Sequence, residues 1–212
     1  MASVAFDLFL PEVLPECPGV PEPVAINAIR NACFDFCATS LIWNEFQDPE
    51  AYSAGEAEYQ VIAPAGAKVI RVLNILLDDG RTIAPIEEDA VTGIRPQWRT
   101  ATGVIEGYVC SSPDVFRFVA VPDSAGTYTA SVAYAPLRSA SSIDASIYNY
   151  YLETIKYGAL GRLMAMATTT WYEPNLAVQF KRLFDIGTGK ATTDRNRSNS
   201  RASMRVAPRP FV

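Results

Sequence analysis

The stretch YYLETIKYGALGRLMAMATTTWYEPNLAVQFKRLF, residues 150–184, decides how this chain folds. Its first half carries apolar residues at spacings of three and four, which predicts an amphipathic α-helix. The apolar stripe consists of Leu152, Ile155, Ala159, Leu163 and Met166. Pro174 can begin a second helix, because proline lacks an N–H that the first helical turn would leave unpaired. The sequence therefore predicts an antiparallel helix pair joined by a short threonine-rich turn.

Small residues mark one strip of the first helix. Gly158, Gly161 and Ala165 leave room for another backbone to approach closely. Two uses of this strip stay open, packing on a helix near residues 24–40 or packing on a second copy of the chain. The residues that we expect to pack the helix pair are Leu152, Ile155, Gly158, Gly161, Leu163, Trp171, Phe180 and Phe184.

The N-terminal segment, residues 1–24, is rich in proline. Each proline blocks the helical turn before it, which excludes a continuous helix. We expect an extended arm that lies along a surface, with a disordered terminus as the alternative. The anchoring side chains would be Phe6, Leu8, Phe9 and Leu10. A helical region follows over residues 25–46, where apolar residues again recur at helical spacing.

The middle of the chain changes from helical to strand periodicity. Apolar residues alternate between residues 55 and 135, which predicts an inserted antiparallel β-subdomain. Asp79-Gly80 separates the apolar runs Lys68–Leu77 and Arg81–Ile86, a strong hairpin signal because both turn positions favour positive φ. We also expect a strand over Glu56–Ile62.

Two further features complete the expected β-subdomain. A second hairpin should join Val115–Val121 to Thr127–Tyr134, and residues 104–110 could add an edge strand. A second helical region is then expected over residues 146–186. The fold class is therefore α+β, a helical bundle with a β-insert, in which residues 25–189 form the central domain.

The C-terminal segment, residues 190–212, is basic. It carries a formal +5, so residues 1–189 carry −10 within a chain whose total is −5. Gly187 and Gly189 are expected to end the preceding helix. The basic residues and the one aromatic residue of this tail are Lys190, Arg195, Arg197, Arg201, Arg205, Arg209 and Phe211. We expect an extended tail that a partner orders, with a solvated tail as the alternative.

The amino-acid composition argues against several classes of function. The chain has no histidine, which removes every Ser-His and Cys-His catalytic triad. Its four cysteines have neither disulfide-framework nor zinc-site spacing, and no nucleotide-binding fingerprint is present. We expect no catalytic, metal or cofactor site. A carboxylate-dependent hydrolase, drawing on Asp78-Asp79 or Glu87-Glu88-Asp89, is kept as an alternative.

No membrane or secretion signal is apparent in the sequence. The N-terminus lacks the basic region of a signal peptide, and no apolar run approaches the roughly 18–20 residues that span a bilayer. The chain is therefore expected to be soluble and intracellular.

Three segments carry a resemblance to a known family. They are AINAIRNACFDFCATSLIW (25–43), AGEAEYQVIAP (54–64) and YGALGRLMAMATTTWYEPNLAVQFKRLF (157–184). In these segments and in the order of its parts, the chain resembles the head-to-tail adaptor (connector) proteins of tailed bacteriophages, especially short-tailed ones. The rivals are a tail-hub or stopper component and a nucleic-acid-binding module that uses the Arg-rich tail.

The resemblance implies a structural virion protein, made in the host cytoplasm and without cofactor. Such adaptors form a closed ring of roughly twelve copies between the portal and the tail. The C-terminal tail, residues 190–212, would dock on the portal protein, and the β-insert would face a tail nozzle or tail tube protein. Double-stranded DNA would pass through the ring without specific binding, which an acidic channel wall favours.

Overall fold

A computed structural model describes residues 2–197. The helices are α1 (Leu10–Val13), α2 (Glu22–Ser40), α3 (Glu88–Ile94), α4 (Ala145–Met164) and α5 (Pro174–Asn196). The strands are β1 (Ser3–Ala5), β2 (Asn44–Phe46), β3 (Glu50–Tyr52), β4 (Glu58–Gln60), β5 (Ala67–Leu77), β6 (Thr82–Ile83), β7 (Thr102–Gly103), β8 (Gly107–Ser112), β9 (Val115–Val119), β10 (Val121–Pro122), β11 (Gly126–Pro136) and β12 (Ser142–Asp144). This mixture of helices and mostly antiparallel sheets confirms the α+β class.

The chain divides into two compact units. Unit 2 is the continuous stretch Trp43–Leu137, and unit 1 combines the stretches before and after it. Unit 1 therefore contains β1, β12 and all the helices except α3. Within residues 2–197, no helix has both the length and the apolar character that a bilayer crossing requires.

The N-terminal segment of unit 1 differs from the expected extended arm. β1 pairs antiparallel with β12, and 3₁₀ turns flank the short helix α1. Pro11 and Pro15 occupy the first positions of separate short helical elements, which proline tolerates. The expected anchoring is observed for Phe6, Phe9 and Leu10, which are buried, whereas Leu8 is exposed. Burial of these three apolar side chains holds the segment against the rest of unit 1.

Helix α2 ends at Ser40, and the apolar sequence continues beyond it. The helix expected from about Val24 to Ser40 is confirmed as α2, but the rest of the helical region drawn over 25–46 is not helical, because β2 begins at Asn44. Leu41 adopts a left-handed conformation with φ of 53°, which terminates the helix. The Ser40 hydroxyl donates to the Phe36 carbonyl at 2.7 Å and accepts from the Ile42 N–H at 3.3 Å. The apolar residues that follow Ser40 therefore belong to the turn that leads into unit 2.

The helix pair forms as an antiparallel hairpin of α4 and α5. Residues early in α4 lie beside residues late in α5, as Thr154 does beside Gly187, while Gly161 contacts Lys181. The expected helix end at Gly187 and Gly189 is wrong, because α5 continues to Asn196. Thr188 and Ala191 are buried, and this packing holds the last turns helical despite the two glycines.

Unit 2 contains two main antiparallel sheets. Long strand β11 pairs with β5, β2 and β3, and the hairpin of β5 and β6 at Asp79-Gly80 is confirmed. The expected second hairpin is wrong, since β9 pairs with β4 and β8 rather than with β11. Strand β8 lies at the edge of that three-stranded sheet, near the predicted edge strand at 104–110.

Aromatic rings join these two sheets. Tyr59 of β4 and Phe116 and Phe118 of β9 pack around Tyr128 of β11, with ring centroids 5.3–6.0 Å apart. Rings at such distances and angles add to the stabilisation from burial alone. The alternation of residues on β9 and β11 predicts which side chains point inward, but it does not predict which strands pair.

Candidate functional site

The candidate functional site is the outer surface of the helix bundle in unit 1, where the basic end of the chain begins. Lys190 and Arg195 lie within α5 and Arg197 follows its last residue. Lys190 and Arg197 are exposed, and the Arg195 guanidinium donates to the Asn196 side chain at 2.6 Å. The other predicted tail residues, Arg201, Arg205, Arg209 and Phe211, lie outside the described residues. The basic segment thus starts as a helix, not as an extended tail.

A cleft runs along α4 and α5 beside these basic residues. Its volume is about 930 Å³, and Tyr150, Glu153, Lys190 and Asp194 lie on its walls. Helix α4 is locally irregular here, with Tyr151 at φ −129° and ψ 17°. Burial, followed by the nearby Asp194 carboxylate, raises the pKa of Tyr151. The cleft is therefore a polar and aromatic surface at the root of the basic segment.

The predicted strip of small residues lies inside the bundle. A Cβ on Gly158 would come within 2.6 Å of the Phe184 ring and 3.0 Å of Ala32 on α2. A Cβ on Gly161 would lie 3.2 Å from the Lys181 backbone nitrogen on α5. Of the two uses left open for this strip, packing within the chain thus accounts for both glycines, on α2 and on α5.

The other residues expected to pack the helix pair lie at different depths. Ile155, Leu163 and Phe184 are buried. Leu152, Trp171 and Phe180 are half-buried, and the Phe180 ring stacks on Tyr157 at 5.9 Å. The Trp171 indole N–H is buried without an observed hydrogen-bond acceptor among the described residues. Buried side chains at the centre of the pair and the partly exposed Phe180 ring therefore both contribute to its packing.

A groove opens where α2, α4 and α5 meet. Its volume is about 660 Å³, and its floor is formed by Gly158, Gly161 and Ala165 of α4. Two ion pairs lie at the groove, Asp35 with Arg162 and Lys181 with Asp185. The charged side chains there are therefore already neutralised within the chain, and what the groove offers is shape.

The acidic clusters of unit 2 serve its turns. The Asp79 carboxylate accepts from the Arg81 backbone N–H at 2.9 Å and from its guanidinium at 2.6 Å, which lowers the pKa of Asp79. Asp78 accepts from the Thr127 N–H at 3.2 Å, and Glu88 pairs with Arg99. Asp78, Asp79 and Glu88 thus have structural uses, so the hydrolase alternative gains no support from these three carboxylates.

Side chains that could bind a metal ion do not cluster in the described part of the chain. Residues 2–197 contain no group of three Cys, Asp or Glu side chains placed to hold an ion. Cys17, Cys33 and Cys37 are buried free thiols. Burial, together with the neighbouring Cys37, raises the pKa of Cys33. Protonated, enclosed thiols are poor nucleophiles and poor ligands.

Sequence reasoning missed one surface feature of α5. Leu176, Leu183 and Ile186 are all substantially exposed, and none of them belongs to the predicted packing set. The signal was present in the sequence, because apolar residues of this segment occupy more of the helix circumference than one buried face needs. Excess apolar residues of this kind indicate a second contact surface.

Comparison with known proteins bears on the whole chain. A family model described as SU10 adaptor protein matches residues 14–209. That range includes α2 to α5 and every strand except β1. No curated protein matches the chain.

Proposed function

Since the chain belongs to the SU10 adaptor protein family, a family of phage adaptor proteins, we propose that it forms a ring between the portal and the tail. In this position it extends the DNA channel of the virion. The observation that carries the proposal is the family match over residues 14–209, nearly the entire chain. Closed rings are the ordinary outcome when one surface of a subunit meets a different surface of the next.

The portal contact is assigned to the basic end of the chain. Helix α5 carries Lys190 and Arg195 toward residues 198–212, which add Arg201, Arg205 and Arg209 without an acidic residue. Arginine forms bidentate bonds with carboxylates, so an acidic portal surface is the matching partner. The use of residues 190–212 as the docking segment of a central domain over 25–189 remains a prediction.

The structure determines which deletion can test the docking segment without damaging the helix bundle. Ala191 is fully buried, so a deletion from residue 190 would damage the bundle as well as the tail. A deletion of residues 198–212 keeps all of α5. We expect this variant to keep its helical circular dichroism and to lose co-sedimentation with portal rings.

The matched controls separate charge from guanidinium geometry. Replacing the arginines at 201, 205 and 209 together by lysine keeps the charge, whereas replacing them by alanine removes it. We expect the alanine variant to fail and the lysine variant to bind more weakly than the wild type. Undiminished portal binding by the deletion variant would refute the docking role. Absence of any ring under the portal with the wild-type chain, in electron micrographs, would refute the adaptor position.

The tail contact is assigned to unit 2. Gln47 donates its side-chain N–H to the Ile62 carbonyl at 2.7 Å, which brings the segment after Phe46 beside Ile62. Phe46 is 67% exposed and Ile62 is 74% exposed. Exposed apolar side chains in these two segments suit contact with a tail nozzle or tail tube protein. Ile62→Glu should weaken binding of the tail protein to portal–adaptor complexes without affecting the portal contact.

DNA is expected to pass through this ring without being held. Residues 1–189 carry a net −10, and negative charge repels phosphate. The full chain should therefore show weak binding to duplex DNA in a mobility-shift assay at physiological salt. Tight binding would favour a nucleic-acid-binding role for the arginine-rich end instead.

A further inference from the structure

One flank of α5 exposes a line of large aliphatic side chains. Leu176, Leu183 and Ile186 are 40%, 42% and 60% exposed. Their spacings of seven and three residues place them on one side of the helix, over about 15 Å of its length. We call these three residues the α5 ridge. A continuous apolar line of this length on a surface is typical of a protein–protein contact.

The opposite flank of α5 forms a wall of the small-residue groove. Val178 and Lys181 belong to this wall, and Val178 is 71% exposed. The buried residues Ala177 and Phe184 lie between the wall and the α5 ridge around the helix circumference. Ridge and groove therefore face in different directions from the same helix, within the same unit.

This arrangement is what a head-to-tail contact between identical subunits requires. A surface that meets a different surface of the next copy leaves its own second surface free, and repetition closes a ring when the rotation closes. The ridge and the groove on one helix supply two such surfaces. In an isolated chain the ridge and the groove would both lack a partner.

We propose that the α5 ridge of one copy seats in the small-residue groove of the next copy. This proposal rests on the ring described under the proposed function and assigns the residues that join its subunits. The groove has a volume of about 660 Å³, and Ala165 is exposed on its lining, which leaves room for aliphatic side chains. The groove thus supplies depth where the ridge supplies bulk.

Charge favours this occupant over the others available. The groove carboxylates Asp35 and Asp185 are already paired with Arg162 and Lys181, the latter pair at 2.7 Å. An arginine-rich segment or DNA would find no unpaired charge among these groups. An uncharged aliphatic ridge loses little hydration on entering such a site. A second copy of this chain is therefore the partner that the groove fits best.

A charge placed on the ridge provides the first test. Ile186→Glu would bring an extra carboxylate into a groove whose charged groups are already paired, and the matched control is Ile94→Glu in unit 2, where the side chain is 81% exposed. We expect the Ile186 variant to need at least about tenfold more protein to fill portal rings, equivalent to the loss of one strong interface residue. The Ile94 variant should match the wild type, and both should keep wild-type circular dichroism.

Disulfide trapping provides the second test. Cys110 is the exposed native thiol and is first replaced by serine, while Cys17, Cys33 and Cys37 are buried. In that background, Ile186→Cys combined with Ala165→Cys should give a ladder of multimers after oxidation of portal-bound rings. Either single variant should give no ladder, because its one thiol faces a surface of the next copy that has no thiol.

The results of these tests distinguish failure of the ridge-in-groove contact from failure of the adaptor role. Rings that form under the portal, show no ladder and tolerate Ile186→Glu would overturn the ridge-in-groove contact and leave the adaptor role standing. A wild-type chain that forms no ring under the portal would overturn the adaptor role. A ladder together with loss of rings in Ile186→Glu would support both.

Discussion

Replacing Gly158 by alanine tests the closest contact in the helix bundle of unit 1. The new methyl group would lie 2.6 Å from the Phe184 ring and 3.0 Å from the Ala32 side chain. Overpacking of this kind costs about 1–3 kcal/mol. Alanine gains about 0.5–1 kcal/mol over glycine within a helix. We therefore expect the free energy of unfolding to fall by about 1–2 kcal/mol.

Gly189→Ala is the matched control, because the same change is made in a neighbouring helix. No atom lies within 4 Å of a Cβ at Gly189, so only the helix preference acts. This variant should gain about 0.5–1 kcal/mol. The assay is urea unfolding followed by helical circular dichroism, which reports mainly on α2, α4 and α5. If both variants gain stability equally, the packing of α4 on Phe184 is wrong.

A cycle with Phe184→Leu isolates the clash from other effects. The smaller side chain removes the ring atoms nearest to position 158, so Gly158→Ala should cost less in that background than in the wild type. Coupling of about 1 kcal/mol between the two changes is expected for residues in direct contact. Additive effects would show that the cost at Gly158 arises elsewhere.

Three further predictions concern thiols, pH and a buried hydroxyl. Without denaturant, Cys110 alone should react rapidly with a thiol reagent, and four reactive thiols before unfolding would contradict the structure. The Ser112 hydroxyl donates to Asp114 at 2.6 Å and lowers the pKa of Asp114, so the stability difference between wild type and Asp114→Asn should be present at neutral pH and disappear as the pH falls below about 4. Tyr128 donates its hydroxyl to the Glu50 carboxylate at 2.6 Å, and Tyr128→Phe should cost unit 2 about 1.5–3 kcal/mol in thermal or urea unfolding.

The helix pair and the first hairpin could be read from the sequence because their signals are local. The apolar spacing in 150–184 and Asp79-Gly80 each specify a contact between residues close in the chain. The second hairpin failed for the opposite reason. Strand β9 pairs with β4 more than 50 residues earlier, as Tyr59 does with Phe116, and alternation on β9 contains no information about which strand supplies its partner.

The ends of helices were misjudged where tertiary packing overrides residue preference. Gly187 and Gly189 disfavour a helix, yet a Cβ at Gly187 would collide with Thr154, so glycine there lets α4 and α5 approach. Thr188 and Thr192 donate their hydroxyls to carbonyls four residues earlier, which satisfies them inside the helix. The α5 ridge could have been recognised, because its exposure follows from counting apolar positions. The groove could not, since three separate helices line it.

The discontinuity of unit 1 sets the order in which this protein can fold during synthesis. Phe6, Phe9 and the apolar face of α2 leave the ribosome early, but α4, on which α2 packs, follows about 100 residues later. At about 5–20 residues per second, this interval lasts roughly 5–20 s. Unit 2 is continuous and can complete its sheets within that interval. The nascent N-terminal helix must therefore stay exposed, or be held by a chaperone, until the last third of the chain closes the bundle.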